Sequence, residues 1–432
     1  MALGGGLWTT QNKVLPGAYI NFISVDRSTL ALSERGVCAI PMELDWLKDD
    51  EVVKINVEDV RKQALRIFGY DYTDKKLKPI REVFRKATKL YIYRLNSGEK
   101  ATNTYATATC SGVRGNDIKI VIAANVDEPT KFDVSTYVGT KLIETQTVEK
   151  AADLVANDFV TFKADATLAE TAGEPLKGGT NGDVTGDSHL RALSALETIA
   201  FNTLGCVSAD ETIKGIYVEY TKRMRDEVGA KFQTVIYNCA ADYHGIINLK
   251  NKVKDGNEQD LVYWTTGAEA GCAVNKSVTN MTYDGECIVD TPHTQDELET
   301  SIKNGEFVFH KVGDDINVLT DINSYVSFTK EMNSDFQINQ VIRVLDQVGN
   351  DIASVFKTKH LGKTQNNKSG RISLWNDIID VFGLLGDIGA VEDFESGEVS
   401  VEIGADKRSV VVIAYCKPVC AMEKLYMTVY VE

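Results

Sequence analysis

The chain is 432 residues long, with 43% hydrophobic and 25% charged residues and a formal net charge of −15. That mixture excludes wholesale disorder and suggests two to four globular domains at roughly 100–200 residues each. The acidic balance speaks against a nucleic-acid binder, which needs clustered Lys and Arg, and no apolar run approaches the roughly 20 residues of a spanning helix, so no direct membrane insertion is expected.

Residues 1–18 are small, polar and Gly-rich and end in Pro16-Gly17, an arm with no core-forming pattern. The start lacks the basic and apolar stretches of a secretion signal, so synthesis in a cytoplasm is expected. Ala18–Val25 reads as a strand. Val57, Val60, Ala64, Leu65 and Phe68 form a helical stripe over Val57–Phe68. A second helix is expected over Leu77–Ala87, with Pro79 in its first turn, followed by a strand at Leu90–Leu95. This order describes an α/β layer.

From Asn96-Ser97-Gly98 to Gly186 the chain turns rich in Thr, Val, Gly and Asp. Short alternating runs at Thr104–Cys110, Ile118–Ala123, Lys131–Val138 and Phe159–Lys163 predict a small antiparallel sandwich or barrel. The Gly-rich run 178–186 reads as its exit linker, so residues 97–186 are expected to be a β-domain inserted into the α/β domain.

Helical patterning then resumes. Ser188 is the expected cap of a helix carrying Leu190, Leu193, Leu196, Ile199 and Ala200. Ser208-Ala209-Asp210-Glu211 opens another helix to Val228, ended by Gly229. Strands are expected at Phe232–Tyr237 and Gly245–Leu249, with a helix over Leu261–Val274. The last block carries strands at Phe307–Val312 and Ile316–Leu319, then helices over Phe336–Lys357 and Ile372–Ile388. Three strands close it: Val399–Ile403, Val410–Tyr415 and Leu425–Val431.

In that final run Leu425, Met427, Val429 and Val431 share one face, while Tyr426, Thr428 and Tyr430 share the other. A strand this strong at a terminus must pair or remain a sticky edge. It is expected to pair inside its own subunit and to offer an edge to a neighbour. The chain thus divides into an arm (1–18), an α/β domain (19–96 plus 187–274), the inserted β-domain (97–186) and a C-terminal α/β domain (275–432). The fold class is mixed α+β, with α/β sandwich domains, an inserted β-domain and extended arms.

The residues of catalysis are missing from any working arrangement. His189, His244, His293, His310 and His360 lack metal-ligand spacing, and G-x-S-x-G is absent. Gly362-Lys363-Thr364 resembles the end of a phosphate loop, but Lys357 stands where that loop needs Gly, and helix precedes it. The dispersed cysteines, Cys416 and Cys420 included, read as free thiols in a reducing compartment. No enzyme activity, metal or cofactor is expected. One segment reverses the local charge: Lys357, Lys359, Lys363, Lys368 and Arg371, with His360 and no acidic residue between them. It is either a solvated interhelical loop or a contact surface for an acidic partner.

Leu15-Pro16-Gly17-Ala18-Tyr19-Ile20-Asn21-Phe22 resembles the opening of contractile tail sheath proteins. Phe68-Gly69-Tyr70-Asp71-Tyr72, Leu90–Leu95, Ser277–Asn280 and Met422–Met427 are similar to runs of the Bacillus defective-phage type of sheath, also found in phage-tail-like bacteriocins. The resemblance implies a homo-oligomer of stacked hexameric rings around an inner tail tube, contacting baseplate and tail terminator proteins. It implies assembly into a phage tail or tail-like particle whose contraction drives the tube through a cell envelope. It makes Trp8, Thr10, Asn12 and Val14 in the arm, with Tyr426, Thr428 and Tyr430, inter-subunit contacts through β-augmentation. The basic segment becomes a candidate contact for the tube or a neighbour. The alternatives are a non-contractile phage structural protein, such as a tube or capsid subunit, and an α/β enzyme with an inserted domain.

Overall fold

The computed structural model describes residues 32–431. The arm residues Trp8, Thr10, Asn12 and Val14 and the strand expected at Ala18–Val25 lie outside them. The described helices are α1 (Val57–Phe68), α2 (Lys78–Val83), α3 (Gly186–Leu196), α4 (Glu211–Lys222), α5 (Leu261–Gly271), α6 (Gln295–Lys303), α7 (Asn339–Val355) and α8 (Lys368–Asp387).

A seven-stranded sheet organises the body, in the order Glu306–Phe307, Ile246–Leu249, Gln233–Tyr237, Thr203–Cys206, Val37–Met42, Lys89–Arg94, Val52–Asn56. All neighbours are parallel except the last pair. Period-2 alternation sends successive side chains to two separate cores. Cys38, Ile40, Leu90 and Ile92 pack with Val60, Phe68 and Ile80 of α1 and α2. Ala39, Leu204, Cys206 and Ile236 pack with Leu193, Leu196 and Tyr217 of α3 and α4. Helix α5 is buried from Leu261 to Ala270, which is why that stretch is apolar or small all round except for Glu269, whose charge partner is Arg343. A Cβ on Gly267 would come within 2.3 Å of the Val83 carbonyl oxygen, so only glycine lets α5 lie this close to α2.

Several elements differ from the sequence reading. The strands Val37–Met42, Val52–Asn56 and Thr203–Cys206 were not expected. The first contains Pro41, and the third is four residues long with a glycine, so tertiary pairing rather than propensity makes them strands. Helix α3 starts earlier than Ser188: Thr185 is its cap, and Ser188 Oγ accepts from the Thr185 amide at 3.3 Å. In α4 the Asp210 carboxylate accepts from Thr212 and Ile213, and the helix continues as a π-turn to Val228 before Gly229 at φ 89°. The sheet takes its last strand, Glu306–Phe307, from beyond residue 275.

Residues 118–175 form a four-stranded antiparallel sheet in the order Lys141–Val148, Phe132–Val138, Ile118–Ala124, Thr171–Pro175. Ala106–Ala108 pairs with Val160–Phe162 beside it. Its core of Ile118, Ile120, Ile122, Val134, Phe159 and Val160 is closed by Trp46 from the neighbouring layer. Arg94, fully buried, ties the two together. Its guanidinium donates to Asp49 at 3.1 Å, to the Ser111 carbonyl at 2.8 Å and to Asn181 at 3.3 Å. Asn181 stands on the returning strand of chain, so one cation holds both crossings.

Past residue 330, α7 and α8 pack together and α8 covers the hairpin of Val399–Ile403 and Val410–Ala414. Leu374, Ile378, Phe382 and Val399 form its small core, and Trp375 Nε1 donates to the Val399 carbonyl at 2.9 Å. The strand expected at Leu425–Val431 is not formed among the described residues. Residues 424–431 make no hydrogen bond to any other described residue, and both faces of the run are exposed. The correction has a simple reason: no sheet edge among the described residues is paired with it, and β-propensity alone makes no ladder.

Candidate assembly interface

The hairpin is an incomplete sheet. Among the described residues neither outer edge has a strand partner. Its second strand, Val410-Val411-Val412-Ile413-Ala414, has no charged residue, and Ile413 is 56% exposed. An unguarded apolar edge of this kind aggregates unless something covers it, and a two-stranded hairpin alone is marginal in water. Close by in sequence, Tyr426 and Tyr430 are each 89% exposed, with Thr428 between them also exposed. The molecule thus carries both an open ladder and an unpaired run with strand periodicity.

The basic segment lies where α7 runs through a π-turn (Phe356–His360) into the loop before α8. The sequence showed no acidic residue there, but the fold brings one from α8. Asp377 accepts from Lys359 Nζ at 2.6 Å and faces His360 Nε2 at 2.7 Å. Lys363 Nζ donates to the Thr358 carbonyl at 2.6 Å, and Arg371 donates to Asn366 Oδ1 at 3.1 Å. Lys357 and Lys368 are exposed and bond to no described side chain. Phe356, Leu361 and Ile372 are exposed beside them. The outward face is therefore narrower than the five residues suggested: two unengaged ammonium groups among apolar side chains.

The sequence reading missed a buried polar stripe on α7. Asn339, Gln340, Arg343, Asp346, Gln347 and Asp351 are all buried. Their spacing of three and four is visible in the sequence, but it reads as a solvated face. Arg225, on the π-turn that continues α4, makes a bidentate pair with Asp346, both bonds 2.7 Å. Arg343 Nη2 reaches Glu269 at 2.6 Å and Asp321 at 3.2 Å, with all three side chains almost wholly buried. Burial, and next the negative charge of Asp321, push the Glu269 carboxyl up to about 8. Burial alone would raise Asp321 too, but the Arg343 charge overrides it and holds Asp321 low. Glu269 Oε1 and Asp321 Oδ1 are buried without another partner, so a proton held by Glu269 and shared with Asp321 satisfies both.

This makes stability depend on pH in a defined direction. Glu269 binds its proton more tightly folded, near 8, than in the unfolded chain, near about 4.3. Its stabilising contribution is complete below the lower value and is lost as pH rises toward and through the upper one. The denaturation midpoint is expected to fall between about pH 5 and 8, and Glu269→Gln to flatten that slope. Urea titrations at stepped pH check this.

No group of three or more His, Cys, Asp or Glu able to hold a metal occurs among the described residues, and no described helix is long and apolar enough to cross a membrane. Burial pushes the Cys416 thiol up to about 11, so it is no nucleophile at neutral pH. Among the described residues, an open apolar sheet edge and an exposed run with strand periodicity are the surfaces left without a partner.

Family models place that subunit. The phage tail sheath protein central domain matches residues 182–324, the phage tail sheath C-terminal domain 331–432 and the phage tail sheath protein beta-sandwich domain 96–181. The N-terminal region of domain III of tail sheath protein Gp18 matches 35–95. The chain is 33% identical to the phage-like element PBSX protein XkdK of Bacillus subtilis (strain 168), with all of both chains covered. It superposes on the crystal structure of the sheath tail protein of Desulfitobacterium hafniense with a TM-score of 0.82 and 37% identity, covering 95% of this chain and 99% of that one. The anti-feeding prophage helical sheath in its contracted state shares the fold at 13% identity and TM-score 0.55, over 97% and 99% of the chains. The chain belongs to the phage tail sheath protein family. Its role is structural, in the sheath of a phage-type tail, and it is not an enzyme.

Proposed function

We propose that the protein polymerises as stacked hexameric rings around an inner tail tube and that the rings contract to drive the tube through a target envelope. In this reading the domains are the arm (1–18), the α/β domain (19–96 plus 187–274), the inserted β-domain (97–186) and the C-terminal domain (275–432). The observation that carries it is the incomplete hairpin at 399–414 beside the unpaired run 425–431. Strands from neighbouring copies, the arm with Trp8, Thr10, Asn12 and Val14 and the end with Tyr426, Thr428 and Tyr430, complete the sheet. Main-chain pairing needs no particular side chains, so the mesh stays linked while the bulkier domains change orientation.

The same reading gives the basic corner to the tube or to an adjoining subunit. Lys357 and Lys368 supply the charge and Leu361, Phe356 and Ile372 the apolar area, while Lys359, Lys363 and Arg371 hold the loop in shape. The particle's baseplate and tail terminator would meet the ends of the stack. Negative-stain microscopy of the protein mixed with its tube protein tests both parts. Ordered rings or sheathed tubes are expected, and amorphous material would refute the ring reading. Lys357→Glu with Lys368→Glu should cut decoration of the tube severalfold at low salt, since exposed pairs contribute about 0.2–1 kcal/mol each and repeat around every ring. Unchanged decoration would return the segment to a solvated loop.

A further inference from the structure

The chain enters the described body at Ser33 and leaves it past Ala421 and Glu423, and helix α7 holds both Ser33 and Ala421. At the entry, the Ser33 amide donates to Asp351 Oδ1 at 3.2 Å, and Gln347 Nε2 donates to Ser33 Oγ at 2.7 Å and to Asp351 Oδ2 at 2.7 Å. Arg35 next to it donates to the carbonyls of Glu269 and Cys272 at 2.9 and 2.8 Å. At the exit, the Ala421 amide donates to Gln340 Oε1 at 2.9 Å. Glu423 accepts from Thr279 Oγ1 at 2.6 Å and from Thr320 Oγ1 at 3.0 Å.

Gln340, Arg343, Gln347 and Asp351 are spaced by three, four and four residues, so they line one face of α7. The two roots are thus about 16 Å apart along a single helix, at 1.5 Å per residue. Between them stands Arg343, holding Glu269 and Asp321, and the Asp321 amide donates to the same Thr279 Oγ1 that contacts Glu423. Glu269 is also the residue whose carbonyl receives Arg35. Apart from α7 itself, the links in this path are hydrogen bonds or ion pairs between named groups, and the three central ones, Gln347–Asp351, Arg343–Glu269 and Arg343–Asp321, are buried.

We propose that the buried polar stripe of α7 is a common anchor for both terminal segments, so that a pull on one is passed to the root of the other through α7 and the Arg343 cluster. This rests on the reading of the termini as inter-subunit linkers and adds to it a reason for burying so many polar groups. An apolar seam of the same area would hold the helix equally well, but it would not tie two particular backbone amides to fixed points.

Amide hydrogen exchange on the unassembled full-length chain tests it. Asp351→Asn removes an acceptor at the entry and is expected to speed exchange at residues 420–423 by about tenfold as well as at Ser33. Gln340→Ala, at the exit, is expected to speed exchange at residues 33–37 in turn. Asn350→Ala, on the same helix but bonded to Lys231, should leave both roots unchanged. Acceleration confined to the mutated root, or equal acceleration by Asn350→Ala, would overturn the coupling. If Asp351→Asn does not fold, Gln347→Ala reads the same root. Because exchange is measured on the monomer, its failure leaves the linker reading standing. Polymerisation by a chain lacking residues 1–15 would sink that reading without touching the anchor.

Discussion

A chain ending at Glu423 is expected to melt at the same temperature as the full-length protein and to form no sedimentable polymer. Residues 424–431 bond to nothing else in the described chain, and Leu425, Met427, Val429 and Val431 are all largely exposed. Removing them takes almost no packing from the monomer, a change within about 0.5 kcal/mol. In a lattice the same residues would add roughly five main-chain hydrogen bonds per contact. At about 1 kcal/mol net each, their loss weakens every junction by more than a thousandfold. Val429→Pro should act likewise, sparing the monomer and blocking assembly, because the ladder it breaks belongs to a neighbour. Differential scanning calorimetry and sedimentation on the same preparations decide it. Long tubes from the truncated chain would mean that this end is not a linker.

Arg343→Ala is expected to be the most damaging single change inside the body, at about 3–5 kcal/mol. The lost guanidinium leaves Asp321 charged and Glu269 buried beside it, and frees the Lys276 carbonyl that Arg343 Nη1 held at 2.6 Å. Adding Glu269→Gln should change the loss little at neutral pH, since the amide donates to Asp321 as the protonated acid already does, and should recover part of it only at high pH where the acid ionises. Equilibrium denaturation of the single and double variants measures both. A loss below about 1 kcal/mol for Arg343→Ala would show that water enters the cluster and solvates the two acids.

Most of the strongly periodic elements were legible. The stripe over Val57–Phe68 is the helix observed over those residues, and the alternating run at Ile118–Ala123 is a core strand of the inserted sheet. Where reading failed, the signal was local and weak or pointed the wrong way. Helix α6 is polar and buries only Ser301, although its Thr294–Glu297 capping box was there to be read. Lys141–Val148 pairs with Phe132–Val138 across a bulge at Ile143, but Glu144, Thr145 and Thr147 face solvent and the run shows no apolar alternation.

The basic loop and the polar stripe of α7 show the limit more sharply. From residues alone, Lys359 is as available as Lys357, because Asp377 stands 18 residues further on, in the middle of the next helix. Likewise Gln340, Arg343 and Gln347 sit on what looks like a water-facing helix side. Period and propensity depend on neighbours within a few residues, so the sequence by itself determined the class of layers and the period-2 alternation of Leu425–Val431. Which charges are neutralised, which polar face is buried and whether the last strand has a partner depend on groups tens to hundreds of residues apart. Only the tertiary structure brings Glu269, Asp321 and Arg343 within hydrogen-bond reach, and only it shows Leu425–Val431 exposed, without a paired edge among the described residues.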